Sequence, residues 1–350
     1  MTVHVVLPGT VDDPAAPSGG NRYDRAVCDR LPGVHEIAVD GAWPRPSAAA
    51  RIALTAALDD LPGRSVVLID GLVACGVPDV LEPHAGRLRL VILVHLPLGD
   101  ETGLSPAAAA ELTALEGRAL RAATAVVVTS EGAARRVIDV HALPPGKVNV
   151  APPGVDPAPL TTAWYDGTRL LCVAAVTPRK GQDVLVAALR TLEHLDWTCT
   201  CVGATGRGVP ADPGRVRFAG PKTGADLDAA YAAADLLVLP SRAETYGMVV
   251  TEALARGIPV IGKRVGGVPE ALGAAPDGTV PGTLVPPGDP AALAAALERW
   301  LTDAGLRQRW RAAARARRAT LPGWDQTVRR LREVLAGPAG PGRHAQGGTP

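Results

Sequence analysis

The sequence predicts an α/β protein of two doubly wound, parallel-sheet domains. Three observations predict it. Short apolar runs that do not alternate with polar residues recur along the chain, separated by longer helical patterns. Such runs suit strands covered on both faces, and a βαβ series implies a parallel sheet with helices on either side. The rhythm stops once, in a proline-dense stretch at residues 143–160, and then restarts. The 350 residues leave room for two cores at roughly 150 residues per domain.

In the first half, strands are expected at residues 3–7, 66–70, 90–95 and 125–129, all rich in Val, Ile and Leu, with helices at 21–31, 48–58 and 105–122. Residues 143–160 hold Pro144, Pro145, Pro152, Pro153, Pro157 and Pro159. That density continues neither a helix nor a central strand, so it reads as the end of the first domain and a linker. Beyond it, strands are expected at 169–176, 198–202, 216–219, 236–239, 259–262 and 284–286. Helices are expected at 182–192, 225–234, 249–256, 290–302, 304–319 and about 325–336. The tail from Gly337 carries Gly, Pro, His and Gln without apolar period, the composition of a disordered segment. The expected division is 1–155, 156–322, a terminal helix at 323–336 crossing back to the first domain, and the tail at 337–350.

Composition narrows the function classes. Hydrophobic residues make up 47% but aromatics only 3%, with a single Phe, so Leu, Val and Ala must do the packing. A net charge of +1 gives no general attraction to nucleic acid or an acidic membrane. The five cysteines, Cys28, Cys75, Cys172, Cys199 and Cys201, form no CxxC pair or metal-ligand spacing and read as buried small hydrophobes. No basic segment leads into an apolar leader, and no apolar run reaches about 18 residues. A cytoplasmic protein with reduced thiols, no membrane span and no nucleic-acid partner is expected.

The segment with the most chemistry runs from Pro240 to Val260. An expected strand ends at Pro240, a loop with Gly247 follows, then a helix, then Gly257 as its stop. In a doubly wound sheet, ligands bind beyond the carboxyl ends of the strands. A helix start offers unpaired N–H groups and a positive dipole end, which suit a diphosphate. Gly247 lets the backbone approach such a ligand. Glu244 in the loop and Glu252 on the helix can then line one cleft at different depths. On spacing alone, they read equally well as one capping and one solvated glutamate.

Three further places matter. Val176-Thr177-Pro178-Arg179-Lys180-Gly181 puts two cations and a glycine at a strand end, which suits a diphosphate leaving group or a solvated basic turn. Ser18-Gly19-Gly20-Asn21 opens a helix with a glycine pair that admits a phosphate or sugar, or forms a flexible loop. His95 ends a strand, where a lone histidine is usually a satisfied structural residue, and Glu101 lies just beyond. Two patterns mislead. The glycine run at 203–208 is followed by Pro210 and Pro213, so the helix that a dinucleotide fingerprint requires cannot start there. Asp226-Leu227-Asp228 resembles a metal-binding DxD but falls inside an expected helix. The arginines at 307, 309, 311, 315, 317 and 318 read as a solvated helix face.

The Glu244–Glu252 segment resembles the E-x7-E signature of retaining glycosyltransferase family 4. Gly266-Gly267-Val268-Pro269-Glu270 is similar to that family's next loop, and Gly282 with Leu284-Val285-Pro286-Pro287-Gly288-Asp289 to the loop after it. Pro153-Gly154-Val155-Asp156 resembles its interdomain element, with Pro153 where Asn is usual. Weaker similarity runs to about Leu335. The resemblance implies the GT-B fold: two facing Rossmann-like domains, the first on the acceptor side and the second holding a nucleotide sugar, with the active site in the cleft between them. It implies that Glu252 accepts hydrogen bonds from the ribose, that Glu244 contacts the donor sugar, and that backbone around Tyr246, Gly247, Met248 and Val249 holds sugar and distal phosphate. Lys180 would share the diphosphate with Arg179, because the family's arginine five residues before the lysine is Ala175 here. Gly19 and Gly20 would border the diphosphate, and His95 would face the donor sugar. The implied activity is sugar transfer from a nucleotide diphosphate sugar to an acceptor hydroxyl, with retention, by front-face attack, and with neither metal nor other cofactor. The expected acceptor is a small molecule. Hydrolysis or epimerisation of a nucleotide sugar on the same fold, or a non-catalytic donor-binding subunit, are the alternatives.

Overall fold

The computed structural model describes residues 2–13, 17–161, 166–205 and 214–337. Strands β1 (Val3–Pro8), β2 (Val34–Val39), β3 (Val66–Asp70), β4 (Arg89–Val94), β5 (Ala125–Val128) and β6 (Val148–Val150) form one sheet. Its order is β2-β1-β3-β4-β5-β6, every pair parallel. The helices between them are α1 (Gly19–Cys28), α2 (Ala48–Asp59), the short α3 (Gly71–Ala74) and α4 (Pro78–Leu81), α5 (Pro106–Ala122) and α6 (Glu131–His141). The second sheet comprises β7 (Arg169–Val173), β8 (Thr198–Val202), β9 (Val216–Phe218), β10 (Leu236–Leu239), β11 (Val260–Lys263) and β12 (Gly282–Val285). It runs β12-β11-β10-β7-β8-β9, again all parallel. Its helices are α7 (Gln182–Arg190), α8 (Gly224–Ala232), α9 (Met248–Ala255), α10 (Val268–Leu272), α11 (Pro290–Thr302) and α12 (Ala304–Arg317), and α13 (Trp324–Ala336) closes the chain.

The apolar runs are continuous because both sheet faces are covered. Val67, Ile69, Leu90, Ile92, Val126 and Val128 enter one core with α2, α4 and α5. Their neighbours Val66, Leu68, Val91, Leu93, Ala125 and Val127 enter the opposite core with α1 and α13. The second sheet divides likewise, Leu170, Leu236 and Val238 facing one core and Leu171, Leu237 and Leu239 the other. All five cysteines are buried thiols in these layers. Among the described residues, no helix is long and apolar enough to cross a membrane.

One expectation is corrected and one is refined. The proline-rich stretch, expected to end the first domain and to act as a linker, also carries β6. This strand sits at the sheet edge, where prolines outside its three residues remove no ladder bond. The arginines of α12 are only in part a solvated face. Arg307 donates to the carbonyls of Trp300 and Leu301, Arg317 to Leu272, and Arg318, just past the helix, to Ala158. Arg311 donates to buried Asp235 at 2.7 Å. They are structural donors that satisfy buried oxygens. Asp226 and Asp228 lie on α8, and Asp228 pairs with Arg256. From Gly206, the glycine run lies outside the described residues, as do Pro210, Pro213 and the tail beyond Gly337.

Helix α13 buries Trp324, Val328, Leu331 and Leu335 against the first sheet. Thr327 donates to Pro152 O at 2.7 Å, and Arg89 donates to the carbonyls of Val334 and Leu335, neutralising the helix C-terminus. Where the chain leaves the first sheet, a Cβ on Gly154 would stand 2.2 Å from Trp324 N. Gly154→Ala is therefore expected to lower stability by about 1–3 kcal/mol, the usual cost of overpacking, read as a reduced urea midpoint. An unchanged midpoint would show that α13 is not seated on this segment.

Strand order locates the site. In the first sheet the winding reverses between β1 and β3, and in the second between β7 and β10. Crevices open at such reversals, beyond the carboxyl ends of the strands. The loops there carry Gly19-Gly20 and Asp70 on one side, and Lys180 and Glu244 on the other.

Candidate functional site

Loops after β7 and β10 are packed backbone to backbone. Gly181 has φ +69°, and a Cβ there would fall 2.3 Å from Pro240 O. Arg242 N–H donates to Arg179 O at 2.8 Å. This contact brings Lys180 Nζ to 2.6 Å from Glu244 Oε1, which also accepts from Ser241 Oγ at 2.8 Å. Both bonds fall on Oε1, so Oε2 is the oxygen left for a ligand. Immediately after, Gly247 caps α9 in the left-handed region at φ +89°, with no side-chain cap. Val250 N–H donates to Gly247 O, while the first-turn amides of Met248 and Val249 have no intrahelical acceptor. Tyr246 is buried in the core below.

One helical turn further, Glu252 is 6% exposed. Tyr231 OH donates to Glu252 Oε2 at 2.7 Å, and Arg22 of the first domain reaches Oε1 at 2.5 Å. Burial pushes the Tyr231 phenol well above its usual range, which keeps it a donor. Arg22 also donates to Asp156 at 3.1 Å. A carboxylate offers about four acceptor positions, so Glu252 can hold both partners and still receive hydroxyls.

The first-domain wall begins at Gly19 and Gly20. A Cβ on Gly19 would come 3.5 Å from Met248 Sδ, and one on Gly20 would come 3.1 Å from the His95 ring. Gly20 thus lets α1 lie close against His95, whereas at Gly19 a side chain would make only an ordinary contact with Met248. His95 follows β4, and its Nε2 is 2.9 Å from Asp24 Oδ1. Desolvation works against the imidazolium, yet the Asp24 charge outweighs it and pushes His95 up to about 9.

Contacts also span the cleft. Arg179 Nε lies 3.4 Å from Glu101 Oε1, and Arg179 N–H donates to Thr102 Oγ1 at 3.2 Å. Arg179 therefore faces the opposite domain while Lys180 faces Glu244. Ser130 Oγ donates to Thr245 O at 2.5 Å, and Glu270 accepts the N–H groups of Glu131 and Gly132 at 2.9 and 2.8 Å. Glu270 thus places its charge at the positive end of α6 from across the seam. Of the residues singled out from sequence, Glu244 meets Lys180, and Gly19 and Gly20 meet Met248 and His95. Sequence reasoning missed Arg22, Asp24, Asp70 and Tyr231. Asp70 carried a usable signal, an acid at the carboxyl end of a strand; the others sit in helices with no local mark.

Two family models match the chain: Glycosyltransferase Family 4 over residues 2–159 and Glycosyl transferases group 1 over residues 167–303. The chain is 34% identical over 295 residues to D-inositol 3-phosphate glycosyltransferase of Salinispora arenicola, covering 74% of this chain and 63% of that protein. It is 32% identical to D-inositol 3-phosphate glycosyltransferase 1 of Catenulispora acidiphila, covering 74% and 66%. The chain thus spans less than two thirds of these relatives' length. Among solved structures, sucrose-phosphate synthase from Thermosynechococcus elongatus superposes with TM-score 0.73 at 21% identity, over 96% of this chain and 98% of that one. Anabaena HepE in complex with UDP-glucose gives 0.72 at 18%, over 96% and 99%. These likenesses show a shared fold.

Proposed function

This chain belongs to glycosyltransferase family 4 and has its GT-B fold, and on that premise we propose that it transfers a sugar, with retention, from a nucleotide diphosphate sugar to a hydroxyl of a small polyol. The observation that carries this reading is the Lys180–Glu244 pair, 2.6 Å apart at the switch point of the second sheet, on the segment whose Met248 lies against Gly19 of the first domain. Glu252 takes the ribose diol, and Glu244 Oε2 takes a hydroxyl of the donor sugar. The diphosphate lies between Lys180 and the open amides of Met248 and Val249.

Transfer proceeds on one face of the sugar. The bond from the anomeric carbon to the phosphate oxygen breaks, and the acceptor oxygen bonds to that carbon from the same side. The acceptor's proton passes to the departing phosphate oxygen. Lys180 and the α9 amides stabilise the charge that grows on the phosphate, and the closed cleft holds acceptor and donor in line. With these positive groups in place the reaction needs no metal. Arg179, which pairs with Glu101 across the cleft, is the second cation of the proposed diphosphate site. The inositol phosphate relatives support a small acceptor, and the five buried thiols agree with a cytoplasmic setting.

The test is a thermal-shift screen of UDP-, GDP- and dTDP-sugars, with and without EDTA, followed by product NMR with inositol phosphates and other polyols. One donor should raise the melting temperature by mass action, and EDTA should not change this. Glu252→Gln should diminish the shift. An axial donor linkage should reappear in the product. Turnover without acceptor would indicate a hydrolase or epimerase, and an inverted linkage would remove the front-face mechanism.

A further inference from the structure

Beneath Gly20, three titratable side chains from three elements converge: Asp24 on α1, Asp70 at the end of β3, and His95 after β4. One polar atom of each lies within 4.8 Å of the others. Asp24 and Asp70 are 3% and 4% exposed, whereas the His95 side chain keeps 17%. Asp70 Oδ1 accepts the Leu72 N–H at 2.6 Å, and Asp24 Oδ1 is taken by His95 Nε2 at 2.9 Å. Asp24 Oδ2 is buried with no hydrogen-bond donor, although buried polar atoms are almost always paired.

One proton resolves this. Two neighbouring buried carboxylates cannot both be charged, and a proton on Asp70 turns the orphaned Asp24 oxygen into an acceptor. The trio is then one neutral acid, one carboxylate and one imidazolium, with no net charge to bury. With Nε2 bound, Nδ1–H is the ring donor left for the cleft. Building on the sugar-transfer reading, we propose that Asp24 and Asp70 are positioning residues that act through His95. Asp70 donates to Asp24 Oδ2, and Asp24 Oδ1 fixes His95 as an imidazolium whose Nδ1–H binds an oxygen of the donor sugar or its phosphate.

The local electrostatics agree. Burial and then the Asp24 charge push Asp70 up to about 7, while His95 stands at about 9. Facing the trio from its own helix is Tyr23, whose ring centroid lies 5.2 Å from that of the imidazole, and from beyond α3 Cys75; burial raises both. Neither carries charge near neutral pH, and Arg22, the next cation on α1, is committed to Glu252 and Asp156. Above about pH 7, Asp70 loses its proton, the donor to Asp24 disappears, and a second negative charge arises beneath an anionic donor. The donor KM should then rise while kcat holds.

The test is a 13Cε1-histidine NMR titration of the full chain, with the His95 signal identified by its loss in His95→Gln. In the wild type, His95 should stay protonated to about pH 9. In Asp24→Asn the raising charge is gone while desolvation remains, so His95 should titrate well below its wild-type value, and the donor KM should rise about tenfold, the effect of one charge-assisted hydrogen bond. Asp70→Asn keeps an N–H donor for Asp24, so it should abolish the rise in KM above neutral pH. The proposal is overturned if wild-type His95 is neutral at pH 7, a result that needs no variant to fold. It is also overturned if Asp24→Asn leaves the titration unchanged, or if a stoichiometric divalent ion removable by EDTA occupies the trio. NMR requires no turnover, so absent sugar transfer would remove the functional reading alone, and an ordinary His95 titration in an active enzyme would remove the relay alone.

Discussion

Lys180→Ala is expected to lower kcat for sugar transfer by on the order of tenfold or more, and Glu244→Gln by a similar factor. Lys180 is the cation aimed at the site from the loop after β7, and its 2.6 Å bond to Glu244 Oε1 sets the position of both groups. Under the proposed mechanism, loss of the lysine removes charge stabilisation from the leaving phosphate. It also frees Glu244, which keeps Ser241 as its other donor at 2.8 Å. Because the two side chains touch, their effects should not add. The double variant should lose less than the product of the single losses. Rates measured at saturating donor and acceptor check this. Wild-type rates in both single variants would remove the pair from the mechanism, and strict additivity would show that the pairing has no role in transfer.

Gly266→Ala is expected to be the most damaging substitution outside the charged residues. Gly266 has φ +46°, and its Cβ would stand 1.6 Å from Glu244 O. Across the seam, a Cβ on Gly132 would meet Gly266 O at 2.5 Å. Neither backbone can yield without moving the other, so alanine must displace the Glu244 loop itself. Left-handed strain alone costs of order 1–3 kcal/mol in a non-glycine residue, and the clash adds to it. The variant should melt at lower urea and lose both the donor-induced thermal shift and transfer. Gly278 is the control: it has φ +83° with nothing within 4 Å of its Cβ, so Gly278→Ala should show the strain without loss of donor binding. Equal effects from the two would place the cause in backbone conformation rather than in the seam.

The pH dependence of stability should follow the buried trio. Asp70 moves from 3.8 to about 7 and His95 from 6.5 to about 9 on folding, so both bind protons more tightly in the folded chain. Their contribution is whole below the unfolded values and is lost as pH rises through about 7 and then about 9.

The central strands were legible for a simple reason. Residues 66–70 and 236–239 are strands over those very bounds, because coverage on both faces writes a nearly unbroken apolar run into the chain. The edges were less legible. β2 mixes exposed and half-buried positions, and β6 lies among prolines that only an edge tolerates. The same limit applied at the site. Each loop after a central strand could be recognised by its glycines and charges, and Glu244, Glu252, Lys180 and His95 could be picked out from them. Their partners could not. Arg22 and Glu252 are 230 residues apart, and Asp24, Asp70 and His95 sit on three separate elements.

By itself, the order of residues determined two parallel doubly wound sheets and the loops at their carboxyl ends, because burial and turn chemistry act over a few neighbouring positions. Only the tertiary structure decided which charge meets which: Lys180 with Glu244, Arg179 with Glu101, Arg22 with Glu252, and His95 with Asp24. Those pairings depend on the reversal of strand order within each sheet and on the approach of one sheet to the other, and no local pattern encodes either.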